Sequence, residues 1–258
     1  NKYRNGVSIR QMAIELTKIR KLIGTERDFA FDADYESILD TVKQGVELLG
    51  PDLVQQTLQP NGETFIKPIL SIASSIESAY YSNTFTPYFA LDAVVATSVA
   101  TINEGACMAM NEVIDTAMLY CDILRYEFIF YKPCQDFGEQ IEKSITRLCK
   151  SKILTKTANG VVLDFKASQT LLSTLAPFSI SYFSTIACLK KLVDESKMIE
   201  SKFVKICLSH LTEKFNKREI TYGESISTDS IKNCIKVLEK WGMVEVSLDN
   251  GARVISLG

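Results

Sequence analysis

The sequence has 258 residues, of which 46% are apolar and 23% charged, so it can form a folded core and is not intrinsically disordered. The net charge of −2 gives no overall attraction for nucleic acid. The seven cysteines, odd in number and without C-x-x-C spacing, indicate neither a disulfide framework nor a zinc site. Because the sequence begins at Asn1 and shows no targeting segment, we expect the natural N-terminus to be missing.

The N-terminal part of the chain has the pattern of two amphipathic helices. A capping box of Ser8 and Gln11 begins the first helix, and Gly24 is predicted to end it. A second apolar stripe with helical spacing predicts a helix over residues 34–49. Alternating residues at 63–67 then predict a short strand.

Three further helices are predicted before the middle of the chain. The first covers 69–81, the second begins at the Thr-Pro pair of 86–87 and ends near 103, and the third covers 106–127. The short turn between the last two predicts an αα-hairpin at about 87–127. Residues 128–132 are aromatic and favour a strand.

A helix followed by two alternating segments around an Asn-Gly pair occurs twice in the second half, which predicts two helix-plus-hairpin units. The first unit covers 139–149 and 153–165, and the second covers 229–241 and 244–257. Between them lie two long predicted helices, 167–193 with a kink at Pro177, and 199–216.

A helix with a hairpin wing is typical of winged-helix modules, although that outline serves many functions. The predicted fold class is therefore mainly α: a helical bundle with two winged-helix-like units in the C-terminal half. We expect a helical region over 1–131 and a helix and hairpin region over 132–258.

Residues 68–124 contain no lysine or arginine but six carboxylates. Within this segment the apolar residues 85–102 could be interpreted as a membrane span. A helix there rises only about 25 Å, less than the ~30 Å hydrocarbon core, and Asp92 would be costly at its centre. We expect instead a hairpin that is buried in the protein and rests partly on a membrane surface.

Few residues indicate chemistry. His210 is the single histidine, and with Cys207 it could form a nucleophile and base pair, but a packed histidine is the simpler interpretation. Neither G-x-G-x-x-G nor G-x-x-x-x-G-K-[ST] occurs, so kinase and dinucleotide-binding functions are disfavoured. Lys232, Lys236 and Lys240 share one helix face and could bind phosphate, although neighbouring carboxylates oppose them.

Several short strings, in this order, resemble the region after the catalytic domain of mitochondrial-type glycerol-3-phosphate acyltransferases and their dihydroxyacetone-phosphate relatives. The resemblance covers about 7–246, and its strings are Phe65-Ile66-Lys67-Pro68, Tyr80-Tyr81-Ser82-Asn83, Pro133-Cys134-Gln135-Asp136-Phe137, Tyr222-Gly223-Glu224-Ser225 and Ile231-Lys232-Asn233. The Leu-rich segment 171–189 is similar to both branches, whereas Glu127-Phe128-Ile129-Phe130 is closer to the dihydroxyacetone-phosphate branch.

The resemblance implies a protein that transfers a fatty acyl group from acyl-CoA to glycerol 3-phosphate through an H-x-x-x-x-D motif, whose histidine acts as general base. His210 is followed five positions later by Phe215, so the motif is absent and no catalytic residue, metal site or cofactor is assigned here. The implied role is that of a C-terminal supporting region.

The same resemblance implies the partners and the location. The partners are the protein's own N-terminal acyltransferase domain, a membrane surface and the substrates acyl-CoA and glycerol 3-phosphate, without nucleic acid. The implied location is the mitochondrial outer membrane, or the peroxisomal membrane for the dihydroxyacetone-phosphate branch. The alternatives are a winged-helix module that binds nucleic acid or protein, and a helical scaffold unrelated to any enzyme.

Overall fold

The computed structural model describes residues 5–23, 34–83, 86–130 and 136–258. Helices dominate this part of the chain and the sheets are small and antiparallel, so the predicted mainly α class is confirmed. The predicted helix end at Gly24 lies outside the described residues.

Residues 7–68 form what we call the N-terminal unit. Its elements are β1 (Val7–Ser8), α1 (Ile9–Ile23), α2 (Tyr35–Leu49), β2 (Val54–Leu58) and β3 (Thr64–Pro68). Asp34 caps α2 by accepting a hydrogen bond from the Ser37 amide, and the backbone amide of Gln11 donates to Ser8 Oγ over 3.2 Å at the start of α1. The strand order is β1-β3-β2, with both pairs antiparallel.

Residues 108–163 form the middle unit, which follows α3 (Ile72–Asn83) and α4 (Thr86–Val99). It contains α5 (Met110–Ile123), α6 (Phe137–Lys150), β4 (Leu154–Thr157) and β5 (Gly160–Leu163). Met108 is extended and pairs antiparallel with Val161 of β5. Because Met108 belongs to this bridge, α5 begins later than the predicted residue 106. No strand is present at 128–130, where the Phe128 ring packs edge-on against Phe178 instead.

Residues 197–257 form the C-terminal unit, which follows two helices, α7 (Phe165–Cys188) and α8 (Lys190–Glu195). Its elements are β6 (Lys197–Ile199), α9 (Glu200–Asn216), a 3-10 turn (Gly223–Ser225), α10 (Thr228–Lys240), β7 (Val244–Asp249) and β8 (Ala252–Leu257). The strand order is β6-β8-β7. Pro177 lies inside α7, which continues through it, while the predicted helix 167–193 is divided between α7 and α8.

The three units share one topology. Each has a short extended segment, two helices and a hairpin, and the second hairpin strand pairs antiparallel with the extended segment. Both predicted helix and hairpin pairs are therefore present, and the N-terminal unit adds a third that the sequence analysis missed. Its turn spans Gln59 to Glu63 and contains the pair Asn61-Gly62, but β2 has no alternating pattern that would reveal a strand.

Two groups of buried apolar residues form the core of the described part of the chain. The smaller group belongs to the N-terminal unit: Val7, Ile9, Ala13, Ile38, Val42, Val46 and Ile66. The larger group joins α4, the middle unit, α7 and the C-terminal unit, so residues on both sides of the predicted boundary at 131 pack together. The division into 1–131 and 132–258 stays a prediction.

Helix α4 lies at the centre of the larger group. Nine of its residues are buried, on all sides of the helix: Thr86, Ala90, Asp92, Ala93, Val94, Val95, Ala96, Ser98 and Val99. A helix buried in this way has no continuous face for lipid. The expectation that this segment packs inside the protein is met by its burial, and contact of the α4–α5 hairpin with a membrane stays untested.

Candidate functional site

Cys207 and His210 do not form a catalytic pair in the described structure. Cys207 is fully buried, and a hydrogen bond with Cys188, together with burial, raises the pKa of its thiol. The other groups that affect this thiol are Cys234 and Thr185, not His210. Among the described residues, His210 Nε2 is buried without a hydrogen-bond partner. Cys207 is therefore an inert core thiol.

A polar junction joins Glu127, in the segment that follows α5, to α7 and α10. Tyr182 of α7 donates its hydroxyl proton to Glu127 Oε1 over 3.2 Å, and Cys234 of α10 contacts the Tyr182 carbonyl at 3.8 Å. Burial raises the pKa of Glu127, while hydrogen bonds from Asn233, Tyr182 and Ser230 partly oppose that shift. Burial and the neighbouring Glu127 raise the pKa of Tyr182. This junction holds the segment after α5 against α7 and α10.

The lysine face of α10 contacts the protein itself. Lys240 Nζ lies 2.7 Å from Asp122 Oδ1, and Trp241 Nε1 donates to Asp122 Oδ2 over 3.0 Å. Lys236 lies over the Tyr126 ring, 5.4 Å from its centre. Two of the three lysines weighed as phosphate ligands are thus engaged with the end of α5, which weakens the phosphate-binding interpretation.

A second polar junction joins α4 to α6. Asp92, which is 2% exposed, accepts hydrogen bonds from Arg147 Nε over 3.0 Å and Arg147 Nη2 over 2.5 Å, and from Ser144 Oγ. The carboxylate is thus satisfied by a guanidinium inside the protein. From the sequence, Asp92 is recognisable only as an obstacle to membrane insertion, because its partners lie more than 50 positions away.

These junctions have the same form. A long helix that precedes the unit packs against its second helix: α4 against α6 in the middle unit, and α7 against α10 in the C-terminal unit. We call α4 and α7 companion helices. Buried polar side chains of α4 and α7 make hydrogen bonds to other elements at these contacts. The two companion helices therefore hold the units to the larger core.

The C-terminal half of α7 has an apolar exposed side. Phe183 is 74% exposed, Ile186 is also exposed, and the exposed Lys190 and Lys191 follow them at the start of α8. Among the described residues, Phe165–Val193 is the one helical stretch long and apolar enough to cross a membrane, although nearly half of its apolar window is buried. A core helix of a soluble protein can have the same length and composition, so this stretch alone is weak evidence for a membrane span.

Within the described residues, no group of three or more His, Cys, Asp and Glu side chains could hold a metal ion. The site of interest is therefore a set of packing surfaces. It consists of two filled helix junctions, the exposed side of α7 and the N-terminal unit.

Comparison with known families and proteins gives one consistent result. The model of the family described as "Glycerol-3-phosphate acyltransferase C-terminal region" matches residues 1–247. A similar protein from Caenorhabditis elegans, named "Probable glycerol-3-phosphate acyltransferase, mitochondrial", is 24% identical over 212 residues, which are 73% of this chain and 30% of that protein.

Mammalian proteins are also similar. Those from Homo sapiens and Sus scrofa, both named "Glycerol-3-phosphate acyltransferase 1, mitochondrial", are each 22% identical, over 166 and 164 residues. Each match covers 60% of this chain and 20% of the relative. The chain thus matches between a fifth and a third of the length of these relatives.

Proposed function

The chain belongs to the family of glycerol-3-phosphate acyltransferase C-terminal regions, and on that premise we propose that it is the supporting region of such an enzyme. The full protein would transfer an acyl group from acyl-CoA to the hydroxyl of glycerol 3-phosphate and form lysophosphatidate. The region itself would contribute packing surfaces and no catalytic group.

The observation that carries this proposal is the family match over 1–247, together with the small share of each relative that is covered. The chemistry of the described residues agrees with it. Cys207 is buried, and Phe215 stands where an H-x-x-x-x-D motif beginning at His210 would require aspartate. The catalytic motif would lie in the part of the protein before residue 1.

The proposed partners are that acyltransferase part and a membrane surface. The exposed side of α7 is the best candidate for the membrane contact, because Phe183 and Ile186 are apolar and two exposed lysines follow them. The mitochondrial names of the relatives support a mitochondrial location, and the outer membrane is our proposal.

Glycerol 3-phosphate is the proposed acyl acceptor. The relatives described above are all named for it, which favours this branch over dihydroxyacetone phosphate and the peroxisomal membrane. An assay of the full protein with each acceptor decides between the branches. Faster transfer to dihydroxyacetone phosphate would reverse the assignment.

We propose no nucleic-acid partner, although the topology of the units supports their comparison with winged-helix modules. Lys236 and Lys240 of α10 contact Tyr126 and Asp122, so this face is not free for phosphates. Binding of a DNA duplex that weakens steeply with salt would favour the nucleic-acid alternative.

The first prediction concerns activity. The purified chain should transfer no acyl group from labelled acyl-CoA to glycerol 3-phosphate, while the full protein should do so, because the general base lies outside this chain. Transfer by the isolated chain that is lost in His210→Ala would show that the chain is catalytic.

A further inference from the structure

Helix α2 of the N-terminal unit has an interior glycine, Gly45, that no contact in the described structure explains. A glycine in a helix interior makes the helix less stable than an alanine does. A Cβ atom added at Gly45 would meet nothing within 4 Å, so no described neighbour requires its absence. Leu48, on the same side one turn later, is 87% exposed. Thr41, Gly45 and Leu48 form what we call the open face of α2.

The same face is filled in the other two units. The inward residues Val42 and Val46 of α2 correspond to Ile141 and Ile145 of α6 and to Ile231 and Ile235 of α10, and all are buried. The residue just before the second of these inward residues is Gly45 in α2, Ser144 in α6 and Cys234 in α10.

Both equivalents of Gly45 contact a companion helix. Ser144 Oγ donates to Asp92 of α4, and Cys234 Sγ contacts the Tyr182 carbonyl of α7. The equivalents of Leu48 are Arg147, which pairs with Asp92, and the buried Val237. No helix of the described structure covers α2 in this way, since its main packing partner is α1. The open face of α2 therefore corresponds to the surface on which α6 and α10 bind their companion helices, but no described helix lies on it.

The position of the other companions in the chain identifies the missing one. Helix α4 ends at Val99, nine positions before Met108, and α7 ends at Cys188, nine positions before Lys197. The same spacing before β1, which begins at Val7, places the end of a third companion just before residue 1. The relatives are three to five times longer than their matched portions, so chain is expected there.

We propose that the N-terminal unit binds, on the open face of α2, the helix that directly precedes residue 1 in the full protein. This inference rests on the proposed function only in taking the chain as the C-terminal region of a longer enzyme. The helix would be amphipathic, because its apolar side must cover Leu48. One of its side chains would lie over Gly45, where the missing Cβ leaves room.

Site-resolved thiol labelling tests the proposal. Leu48→Cys should react with a maleimide at least about tenfold more slowly in the full protein than in the isolated chain, because the helix covers it. Lys43→Cys, on the exposed side of α2 that faces away from Leu48, and the native exposed Cys107 are the matched controls, and their rates should not change. Equal rates for Leu48→Cys in both proteins would overturn the proposal.

Gly45→Leu provides a second measurement with opposite expected signs. In the isolated chain the substitution should raise the Tm, because leucine is a better helix former and space is available. In the full protein it should lower the Tm, because the side chain collides with the bound helix. A higher Tm in both proteins would contradict the proposal.

Two other outcomes are informative. Protection of Leu48→Cys that grows with the concentration of the isolated chain would mean that a second copy occupies the face, which also overturns the proposal. Acyl transfer is measured separately on the same full protein. Protection without activity would reject the proposed function and leave the helix contact supported.

Discussion

At the scale of residues, Asp92 is the one charged residue among the fully buried residues of the described structure. It is 2% exposed and depends on Arg147 and Ser144 for its hydrogen bonds. A buried ion pair adds little over a well-packed apolar pair, but removal of one partner leaves an uncompensated charge. Arg147 is therefore needed for the stability of the α4–α6 junction.

Arg147→Met should lower the free energy of unfolding by about 3 kcal/mol, because Asp92 then lacks a counter-charge in the core. Urea denaturation at pH 7 measures the change. Lys143→Met, which breaks the exposed pair with Glu139 on the same helix, is the matched control and should cost less than about 0.5 kcal/mol. Equal losses of unfolding free energy in the two variants would show that the buried Asp92 pair stabilises the protein no more than an exposed pair does.

Glu127 gives a prediction about pH. Burial raises the pKa of Glu127 in the folded state above its ordinary value of 4.5, so its contribution to stability is fully present below that value. The contribution is lost as the pH rises through the folded-state pKa. Glu127→Gln should therefore gain stability relative to the wild type as the pH rises from 4.5 towards 7. Urea denaturation measures the difference in free energy of unfolding between the two proteins at each pH. A difference that stays constant with pH would contradict the effect of burial on the Glu127 pKa.

The sequence predicted the cysteines better than it predicted these polar contacts. A free cysteine within an apolar helical stripe is usually a core residue, and Cys121, Cys188, Cys207 and Cys234 are buried, whereas Cys107 is exposed. The partners of Asp92 and Tyr182 lie 52 to 55 positions away along the chain. No local pattern encodes such a pairing, because it depends on how helices meet.

At the scale of elements, the middle and C-terminal units end their second helix in the same way. The backbone amide of Ile153 donates to Leu148 and that of Lys152 to Cys149, while Met243 donates to Leu238 and Gly242 to Glu239. This is the Schellman pattern, in which one residue adopts a positive φ. That residue is Gly242 in one unit, with φ +68°, and Lys152 in the other, with φ +58°.

Substitutions at these two positions should have opposite effects. Gly242→Ala should lower the free energy of unfolding by about 1 kcal/mol, since an added Cβ meets no neighbour and only the backbone conformation is penalised. Lys152→Gly should raise it by up to about 1 kcal/mol, because it relieves the same penalty. Thermal unfolding of both variants measures the changes. Destabilisation by Lys152→Gly would mean that contacts of the lysine outweigh the backbone cost.

Hairpins show how far turn patterns predict register. The loop of the last hairpin is Asn250-Gly251, as predicted, because Asp249 pairs with Ala252. In the middle unit Thr157 pairs with Gly160, so the loop is Ala158-Asn159 and the predicted Asn159-Gly160 pair is shifted by one position. The bridge between Met108 and Val161 constrains β5 there, and this long-range contact cannot be deduced from the turn.

At the scale of the whole molecule, the repetition of one topology explains both what was predicted and what was missed. Two units carry strongly amphipathic helices before hairpins with clear alternation, and the sequence indicated them. The third has the uncharged and mostly exposed strand β2, which resembles a loop. The segment 68–124 had two interpretations from composition alone, and only the packing of α4 in the core distinguishes them.

The central claim is that this region supports an acyltransferase that lies before it in the chain. The most direct measurement is the rate of acyl transfer to glycerol 3-phosphate by three samples. They are the full protein, a truncated protein that ends before residue 1 and so lacks this region, and that truncated protein mixed with the purified chain. We expect the truncated protein to be at least about tenfold slower than the full protein and to recover when the chain is added. A truncated protein as active as the full one would contradict the account.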